Sequence, residues 1–378
     1  MADNKDKKVL NVPALRFPEF TEEWKKIRLG DNCNIQMCKR IMAAQTNTEG
    51  GVPFYKIGTI GGKADAYISK DLFDEYKRKY SYPNKGEVMI TCAGTVGKCV
   101  IYDGEDSYYQ DSNIVWIDNP NEIISNDFLY HLLSNINWSY LNSTTIVRIY
   151  NDDLRNLKLC CPRLDEQKKI ANFLSLIDER IAAQNKIIEK LETLIKGIRH
   201  NIFKQLRKDV GFNATIGNIL SFEQPQRYIV SSAEYSSDCT FTPVLTANKA
   251  FILGYTTETD GIYSKGDCII IDDFTLDCKY VSFPFKVKSS AIKILTAKNK
   301  YILRYTYEYL KSLELSTEEH KRHYIAEVQP HSCVLPDENT LKTIAMVFEN
   351  LACKLADEQS LVLILNKQKQ YLLSKMFI

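Results

Sequence analysis

Apolar residues recur every three or four positions along two long stretches, residues 162–203 and 336–377. The second stretch repeats the first without a gap, so that Pro162 matches Pro336 and Phe203 matches Phe377. This spacing places apolar side chains along one narrow seam of a helix. The seam consists of Ile170, Leu174, Ile177, Ile181, Ile188, Leu191 and Ile198 in the first copy, and of Ile344, Phe348, Leu351, Leu355, Val362, Leu365 and Leu372 in the second. The pattern therefore predicts one long helix that occurs twice.

Both helices show further signals of a helical pair. Asp165 and Asn339 precede the two patterns and are expected N-caps. A helix over 166–203 would be roughly 57 Å long at about 1.5 Å per residue. Gln184 and Glu358 occupy the same seam position, where a polar residue can fix register. The heptads alone allow two interpretations, an ordinary antiparallel coiled coil or a spacer between two similar domains.

Two segments of similar size precede the helices, and they are weakly similar to each other. The matches are Leu29-Gly30-Asp31 with Ile216-Gly217-Asn218, Lys85–Ile90 with Lys265–Ile270, and Ser112–Ile117 with Ser290–Leu295. Variable loops on a repeated scaffold would give such a pattern. We predict an α+β protein with a first domain over 1–161, a central helix over 162–207, a second domain over 208–335 and a C-terminal helix over 336–378.

Short runs rich in β-branched and aromatic residues predict the strands of both domains. They are 52–57, 88–92, 98–102 and 114–117 in the first domain, and 242–245, 268–271, 280–287 and 291–295 in the second. A helix follows the strands in each case, around 127–137 and around 301–313.

Composition adds limits rather than a function. The 378 residues are 44% hydrophobic and 25% charged, which are values of globular proteins, and the net charge is only +2. No apolar run approaches the 18 or so residues of a membrane span, and no signal peptide is apparent. We therefore expect a cytoplasmic protein without membrane contact, whose eleven cysteines are reduced thiols.

Motifs for catalysis are poor. The segment 93–98 resembles a phosphate-binding loop, but Cys92 and Cys99 stand where that motif needs Gly and Ser or Thr. His320, His323, His331 and Cys333 have no common zinc spacing. The sequence predicts no catalytic residue, no metal site and no cofactor in this chain.

Polar, basic and aromatic residues in predicted loops are the alternative candidates, because Arg, Lys, Asn and Gln read base edges or bind phosphates. In the first domain they are Gln36, Lys39, Arg40, Gln45, Thr95, Lys98, Arg148 and Tyr150. In the second they are Gln224, Gln226, Arg227, Tyr228, Thr246, Asn248, Lys249, Lys279, Lys321, Arg322 and Tyr324.

Several motifs together resemble a known family. Ala14–Phe20, Glu23-Trp24 and Leu29-Gly30-Asp31 are similar to the opening of specificity subunits of type I restriction–modification systems. Asp165–Ala171, Ile177-Asp178 and Phe203 resemble the central conserved helix of that family, and Pro243–Ala247 with Gly254-Tyr255-Thr256 resembles one of its recognition domains.

The resemblance implies that two target-recognition domains each read one half of a bipartite site in double-stranded DNA, and that the paired helices set the gap between the halves. It implies two methyltransferase subunits and restriction (motor) subunits as partners, which would carry the methyl donor, ATP and magnesium. Three alternatives remain: a specificity subunit of a two-component restriction–modification enzyme, a coiled-coil scaffold joining two modules that bind no DNA, and a self-sufficient nuclease acting through the His320–Cys333 cluster.

Overall fold

The computed structural model describes residues 11–141, 148–248, 250–315, 317 and 321–378. The chain forms two compact units. The first comprises Met1–Ala183 and Val362–Ile378, and the second comprises Gln184–Leu361. The division falls within both long helices, so each unit contains one globular domain and a segment of each helix.

In its described residues the first unit contains nine strands, the start of the central helix and the end of the C-terminal helix. Its strands are β1 (Lys25–Arg28), β2 (Asn34–Met37), β3 (Val52–Tyr55), β4 (Tyr67–Ile68), β5 (Val88–Thr91), β6 (Cys99–Ile101), β7 (Tyr108–Tyr109), β8 (Ile114–Asp118) and β9 (Lys158–Cys161). Its helices are α1 (Lys70–Lys79), α2 (Asn126–Asn135), α3 (Asn151–Arg155) and the first part of α4 (Leu164–Asp209), with 3₁₀ turns at Leu29–Asp31, Ala43–Gln45 and Trp138–Leu141.

The described part of the second unit also contains nine strands. They are β10 (Ala214–Thr215), β11 (Ser221–Glu223), β12 (Thr242–Leu245), β13 (Ile252–Thr256), β14 (Cys268–Asp272), β15 (Cys278–Val281), β16 (Lys286–Val287), β17 (Ile292–Thr296) and β18 (Ser332–Cys333). Its helices are the rest of α4, α5 (Ile216–Ile219), α6 (Lys300–Ser312) and the first part of α7 (Glu338–Met376), with a 3₁₀ turn at Pro225–Tyr228 and a π-helical turn at Tyr324–Val328.

The two units share one strand order. The first has sheets β2-β8-β5-β6, β4-β3-β7 and β1-β9, and the second has β11-β17-β14-β15, β13-β12-β16 and β10-β18. In both three-stranded sheets the central strand pairs antiparallel with one neighbour and parallel with the other. Each strand of the first unit thus has a counterpart nine strands later, which confirms the repeated α+β fold predicted from the weak sequence matches.

The four-stranded sheet is buried on both faces because its strands are apolar at almost every position. In the first unit Ile90 and Val115 face α2 and the long helices, while Met89 and Trp116 face the three-stranded sheet. In the second unit Ile269 and Leu295 lie in the helix-side core, and Ile270 and Ile294 lie in the core on the sheet side.

Within each unit the helix segments run antiparallel. In the first, Ile170 and Leu174 share a core with Leu372 and Met376, and Lys369 Nζ lies 2.5 Å from Asp178 Oδ1. In the second, Gln184 Nε2 donates to Glu358, and the rings of Phe203 and Phe348 stack with centroids 6.5 Å apart. All fourteen seam residues are buried or half-buried. The expected antiparallel pairing is confirmed.

The predicted helix starts were wrong in both copies. The central helix begins at Leu164, so Asp165 lies inside its first turn, where the carboxylate accepts the Glu166 N–H at 2.9 Å. At the second helix Asp337 is the cap, since its Oδ1 accepts the N–H groups of Asn339 and Thr340 at 3.0 Å. The helix that follows begins at Glu338.

One predicted strand was also wrong. The stretch 280–287 is two strands, β15 and β16, which belong to different sheets. Pro284 lies between them and has no N–H for a ladder hydrogen bond, which favours such an interruption.

Candidate nucleic-acid interface

In the first unit, two of the candidate DNA-binding residues, Arg40 and Arg148, contact the loop that leads into β8. Arg40 Nε lies 2.6 Å from Asp111 Oδ2, and Arg148 Nη2 donates to the carbonyl oxygen of Ser112 at 3.4 Å. The Arg148 guanidinium carbon lies 5.8 Å from the ring centroid of Tyr150, which is 59% exposed. We call the residues Arg40, Arg148 and Tyr150 with this loop the first arginine face.

The hairpin between β5 and β6 carries Thr95 and Lys98. Thr95 is exposed at the tip, and its carbonyl oxygen accepts the Thr91 hydroxyl. Lys98 Nζ donates to the carbonyl oxygen of Ile60 at 2.5 Å. The hairpin requires glycine at Gly97, where φ is +82° and an added Cβ would lie 2.1 Å from Trp138 Cδ1. This loop is a tight structural turn whose shape is fixed by packing.

The remaining candidates of the first unit differ in exposure. Lys39 is exposed, and its Nζ lies 5.4 Å from the ring centroid of Tyr80. Gln36 is half-buried within strand β2, so its placement in a loop was wrong. Gln45 uses its side-chain oxygen to accept the Met42 N–H at 2.9 Å, which caps a short 3₁₀ turn. Lys39 is the one of these three that is open to a ligand.

In the second unit, Arg322 contacts the loop that leads into β17. Its Nη1 donates to the carbonyl oxygen of Ser290 at 3.4 Å and lies 3.5 Å from Asp273 Oδ2. The guanidinium carbon lies 5.7 Å from the ring centroid of Phe274. Asp273 also receives Lys293 Nζ at 3.1 Å, and both members of that pair are almost fully buried. Since Lys293 balances Asp273, Arg322 leaves one net positive charge at the surface. We call Arg322 and this loop the second arginine face.

Residues 224–228 are linked to this region through Gln224, which contacts Lys293. Gln226 and Arg227 are exposed, and Gln224 is exposed while its Oε1 accepts Lys293 Nζ at 2.8 Å. Tyr228 is buried, and its hydroxyl donates to Glu223 Oε1 at 2.9 Å. Lys265 lies 2.7 Å from the same carboxylate, and its hydrogen bond is the main reason that the pKa of Glu223 is lowered.

Tyr228 and Tyr324 were placed among the surface candidates, and the structure puts both in the core. Tyr324 has no exposed surface, and its ring packs on Phe222 with centroids 5.5 Å apart. Its backbone N–H donates to Asp273 Oδ1 at 2.9 Å. A buried ring cannot contact DNA, so Tyr228 and Tyr324 are not part of the candidate DNA-binding surface.

The other candidates of the second unit are scattered. Thr246 and Asn248 are half-buried, and Asn248 accepts the Thr275 hydroxyl at 3.1 Å. Lys279 is half-buried in β15, and Lys321 Nζ lies 3.6 Å from Glu327 Oε1. Lys249, and His320 of the histidine cluster, lie outside the described residues.

The described residues offer little for catalysis. No group of three or more His, Cys, Asp or Glu side chains in that part of the chain has the geometry of a metal site. All eleven cysteines are free thiols, and only Cys239 and Cys353 are exposed. Burial raises the pKa of Cys92 and Cys268 to about 12, which keeps them protonated and poor nucleophiles. No helix in the described ranges combines the length and apolarity that crossing a bilayer requires.

Sequence reasoning missed the groups that hold the arginines in place. Asp111, Ser112, Phe274 and Ser290 contact Arg40, Arg148 or Arg322, yet none was a candidate. A signal was available, because Ser112 and Ser290 begin one of the segments that repeat between the domains.

Comparison with known proteins shows which family and which fold the chain is similar to. Residues 21–193 match the model of the type I restriction modification DNA specificity domain. The chain also aligns with an S subunit of a type I restriction–modification system from M. genitalium, with a TM-score of 0.65 over 97% of this chain and 99% of that one. Sequence identity is 18%, so this likeness concerns the fold. The first half of the chain thus carries a type I specificity domain, and the whole has the fold of a specificity subunit.

Two sequence relatives agree. A putative type I restriction enzyme specificity subunit of Haemophilus influenzae is 47% identical over 189 residues, which are 50% of this chain and 46% of the relative. The specificity subunit of the type I restriction enzyme EcoR124I/EcoR124II of Escherichia coli is 44% identical over 141 residues, or 35% of each chain. The chain spans less than half the length of these relatives in the alignments. The predicted resemblance to type I specificity subunits is confirmed.

Proposed function

We propose that this chain is a non-catalytic specificity subunit that binds a bipartite DNA sequence and directs methylation and restriction to it. Residues 13–161 would read one half-site and residues 211–335 the other. The observation that carries the proposal is the complete repetition of strand order, with an arginine face in each unit. Two similar readers in one chain suit a target with two separate halves.

The proposed partners supply what the described residues lack. Two methyltransferase subunits would bring the methyl donor, and restriction subunits would bring ATP hydrolysis, magnesium and cleavage. We place the complex in the cytoplasm, where it meets DNA. The net charge of +2 is small for a DNA-binding protein, so partner subunits would share the phosphate contacts.

A genome-wide map of methylated adenines tests the proposal directly. Cells containing the cognate methyltransferase are compared with and without this gene. Loss of one bipartite motif on deletion is expected, and it would define both half-sites and the gap. An unchanged map, together with failure of the purified chain to bind the methyltransferase, would refute the proposal.

A domain exchange tests the division of labour. Residues 13–161 are replaced by those of a relative with a different target, and the methylated motif is mapped again. One half-site should change while the other half-site and the gap stay the same. A matched exchange of residues 211–335 is the control and should change the opposite half. Altered sequence in both halves after one exchange would contradict modular reading.

The role of the helices as a spacer is a separate part of the proposal. Removing one heptad from each of α4 and α7, at matched positions of the repeat, keeps the apolar seams in register. The gap between half-sites should then shorten while both half-site sequences persist. An unchanged gap in a complex that still methylates DNA would rule out the spacer role.

A further inference from the structure

Hydrogen bonds of the backbone show which residues of the two units are equivalent. Cys92 N–H donates to the Asn113 carbonyl at 2.8 Å, as Asp273 N–H donates to the Ala291 carbonyl at 2.7 Å. The Cys92 carbonyl in turn accepts the Ile149 N–H, as the Asp273 carbonyl accepts the His323 N–H, both at 2.9 Å. Cys92 is therefore equivalent to Asp273. In this register Ile90 corresponds to Ile271, so the sequence match of Lys85–Ile90 with Lys265–Ile270 is wrong by one residue within the strand.

The same register relates two arginines. One residue before Ile149 stands Arg148, and one residue before His323 stands Arg322. Each donates to the carbonyl oxygen of a serine, Ser112 or Ser290, at 3.4 Å. These serines precede Asn113 and Ala291, the equivalent acceptors of the backbone bonds. Arg148 and Arg322 thus occupy equivalent positions in the two units, and each donates to a serine carbonyl oxygen of the equivalent loop.

The residues around the two arginines differ between the units, although the arginines occupy equivalent positions. The residue after Ile149 is the exposed Tyr150, whereas the residue after His323 is the buried Tyr324. An aromatic ring nevertheless lies near each guanidinium, from Tyr150 in one unit and from Phe274 in the other, at 5.8 and 5.7 Å. A ring on one side and a carbonyl at one edge hold a guanidinium in a fixed orientation.

We propose that Arg148 and Arg322 are a matched pair that binds the DNA phosphate backbone at the same place in each half-site. This rests on the proposed function. Two half-sites of different sequence share only their backbone, so a residue retained at equivalent positions of both readers suits a phosphate rather than a base. Guanidinium groups bind phosphate oxygens with charge-assisted, often bidentate hydrogen bonds.

The test uses the full chain assembled with its methyltransferase and a duplex that carries the methylated motif. Arg148→Ala and Arg322→Ala should each weaken binding about tenfold and lower the slope of log affinity against log salt by about 1. The loss should be equal for duplexes with an altered half-site, and the methylated motif should stay the same. Arg155→Ala and Lys300→Ala, at exposed basic residues outside the arginine faces, are the matched controls with slopes near wild type.

Lysine variants separate phosphate binding from a merely structural role. Arg148→Lys and Arg322→Lys keep the charge but lose the planar fork. For a phosphate ligand, they should retain the wild-type salt slope, with affinity between that of wild type and alanine. An alanine variant that keeps wild-type affinity and slope would overturn the inference, as would a change of the methylated sequence, which would indicate base reading. If wild type itself shows no sequence preference, the proposed function fails instead.

Discussion

The two units have the same strand order and different interiors. Where the first unit has Cys92 and Val115 in its apolar core, the second has the buried ion pair Asp273–Lys293. On the central helix Arg199 donates to Glu308 Oε2 at 2.8 Å, and its match in the repeat, Leu373, lies in the apolar core of the first unit. The two units thus have the same strand order, although positions that are apolar in the core of the first unit carry charged residues in the second.

This difference shows what the fold requires at these positions. A buried ion pair must recover the desolvation cost of both charges, and it is often no more stabilising than apolar residues of similar size. The pair is therefore replaceable as a unit, whereas either member alone is not. The following changes test that comparison, from the largest expected effect to the smallest.

Lys293→Met should destabilise the second unit by about 3–5 kcal/mol, because it leaves the buried Asp273 carboxylate without its main counter-charge. Chemical denaturation measures the loss. The double variant Asp273→Cys with Lys293→Val copies the pair of the first unit and should recover most of the stability. A double variant that is less stable than Lys293→Met would show that the second fold depends on the ion pair.

Leu174→Ala and Phe348→Ala remove matched, fully buried residues of the helix repeat. Each should cost about 2–5 kcal/mol, because a cavity remains in the helix-side core of its unit. Leu176→Ala and Val347→Ala are exposed controls on the same helices and should change stability by less than about 0.5 kcal/mol. Thermal denaturation of all four variants decides whether both copies of the seam carry similar weight.

His131 makes the stability of the first unit depend on pH at a position where the second unit has no histidine. Counting from the caps Ser125 and Asn299, the equivalent residue on α6 is Tyr305. Burial lowers the pKa of His131 to about 4, against the opposing influence of Asp178. The unfolded chain then binds a proton first, so stability falls as the pH drops from about 6.5 to 4, by at most about 3 kcal/mol.

Urea titrations between pH 7 and pH 4.5 measure this effect in the wild type and in His131→Asn. The variant should be less pH-dependent, since its side chain has no proton to gain. Parallel curves for the two proteins would mean that folding does not lower the pKa of His131.

Asp111→Ser should have the smallest effect on stability, under about 1 kcal/mol, because its partner Arg40 is 68% exposed. In sequence the change makes Asp111-Ser112 resemble Ser289-Ser290 of the second unit. It frees the Arg40 charge, so DNA affinity should rise at low salt and less at high salt. Binding isotherms at two salt concentrations measure it, and affinity below that of the wild type at both would contradict the release of Arg40.

The long helices and most central strands were predictable because their signals are local. Two seams of seven apolar residues each predict the two long helices. Largely apolar runs such as Val88–Thr91 and Cys268–Asp272 predict central strands, and both runs are fully buried. The two-residue strands β4, β7, β10 and β18 were not predictable, since they exist only through their partners. Helix α1 was missed as well, because Lys70–Lys79 is mostly charged.

The candidate surface was less predictable than the fold. Tyr228 and Tyr324 look like surface aromatics in the sequence, and only the packing of distant segments buries them. The partnership of Arg148 with Ser112 spans 36 residues and that of Arg322 with Ser290 spans 32, distances over which spacing carries no signal. The equivalence of Arg148 and Arg322 became visible only from the backbone hydrogen bonds of the two units.

The cysteines have a practical consequence. Of the eleven thiols, only Cys239 and Cys353 are exposed, and both belong to the second unit. A maleimide dye should therefore attach there in the folded wild-type protein, without engineered residues. Fluorescence from such a label would report on the second unit. Cys239→Ser would leave a single dye on the C-terminal helix, and Cys353→Ser would leave it in the globular domain.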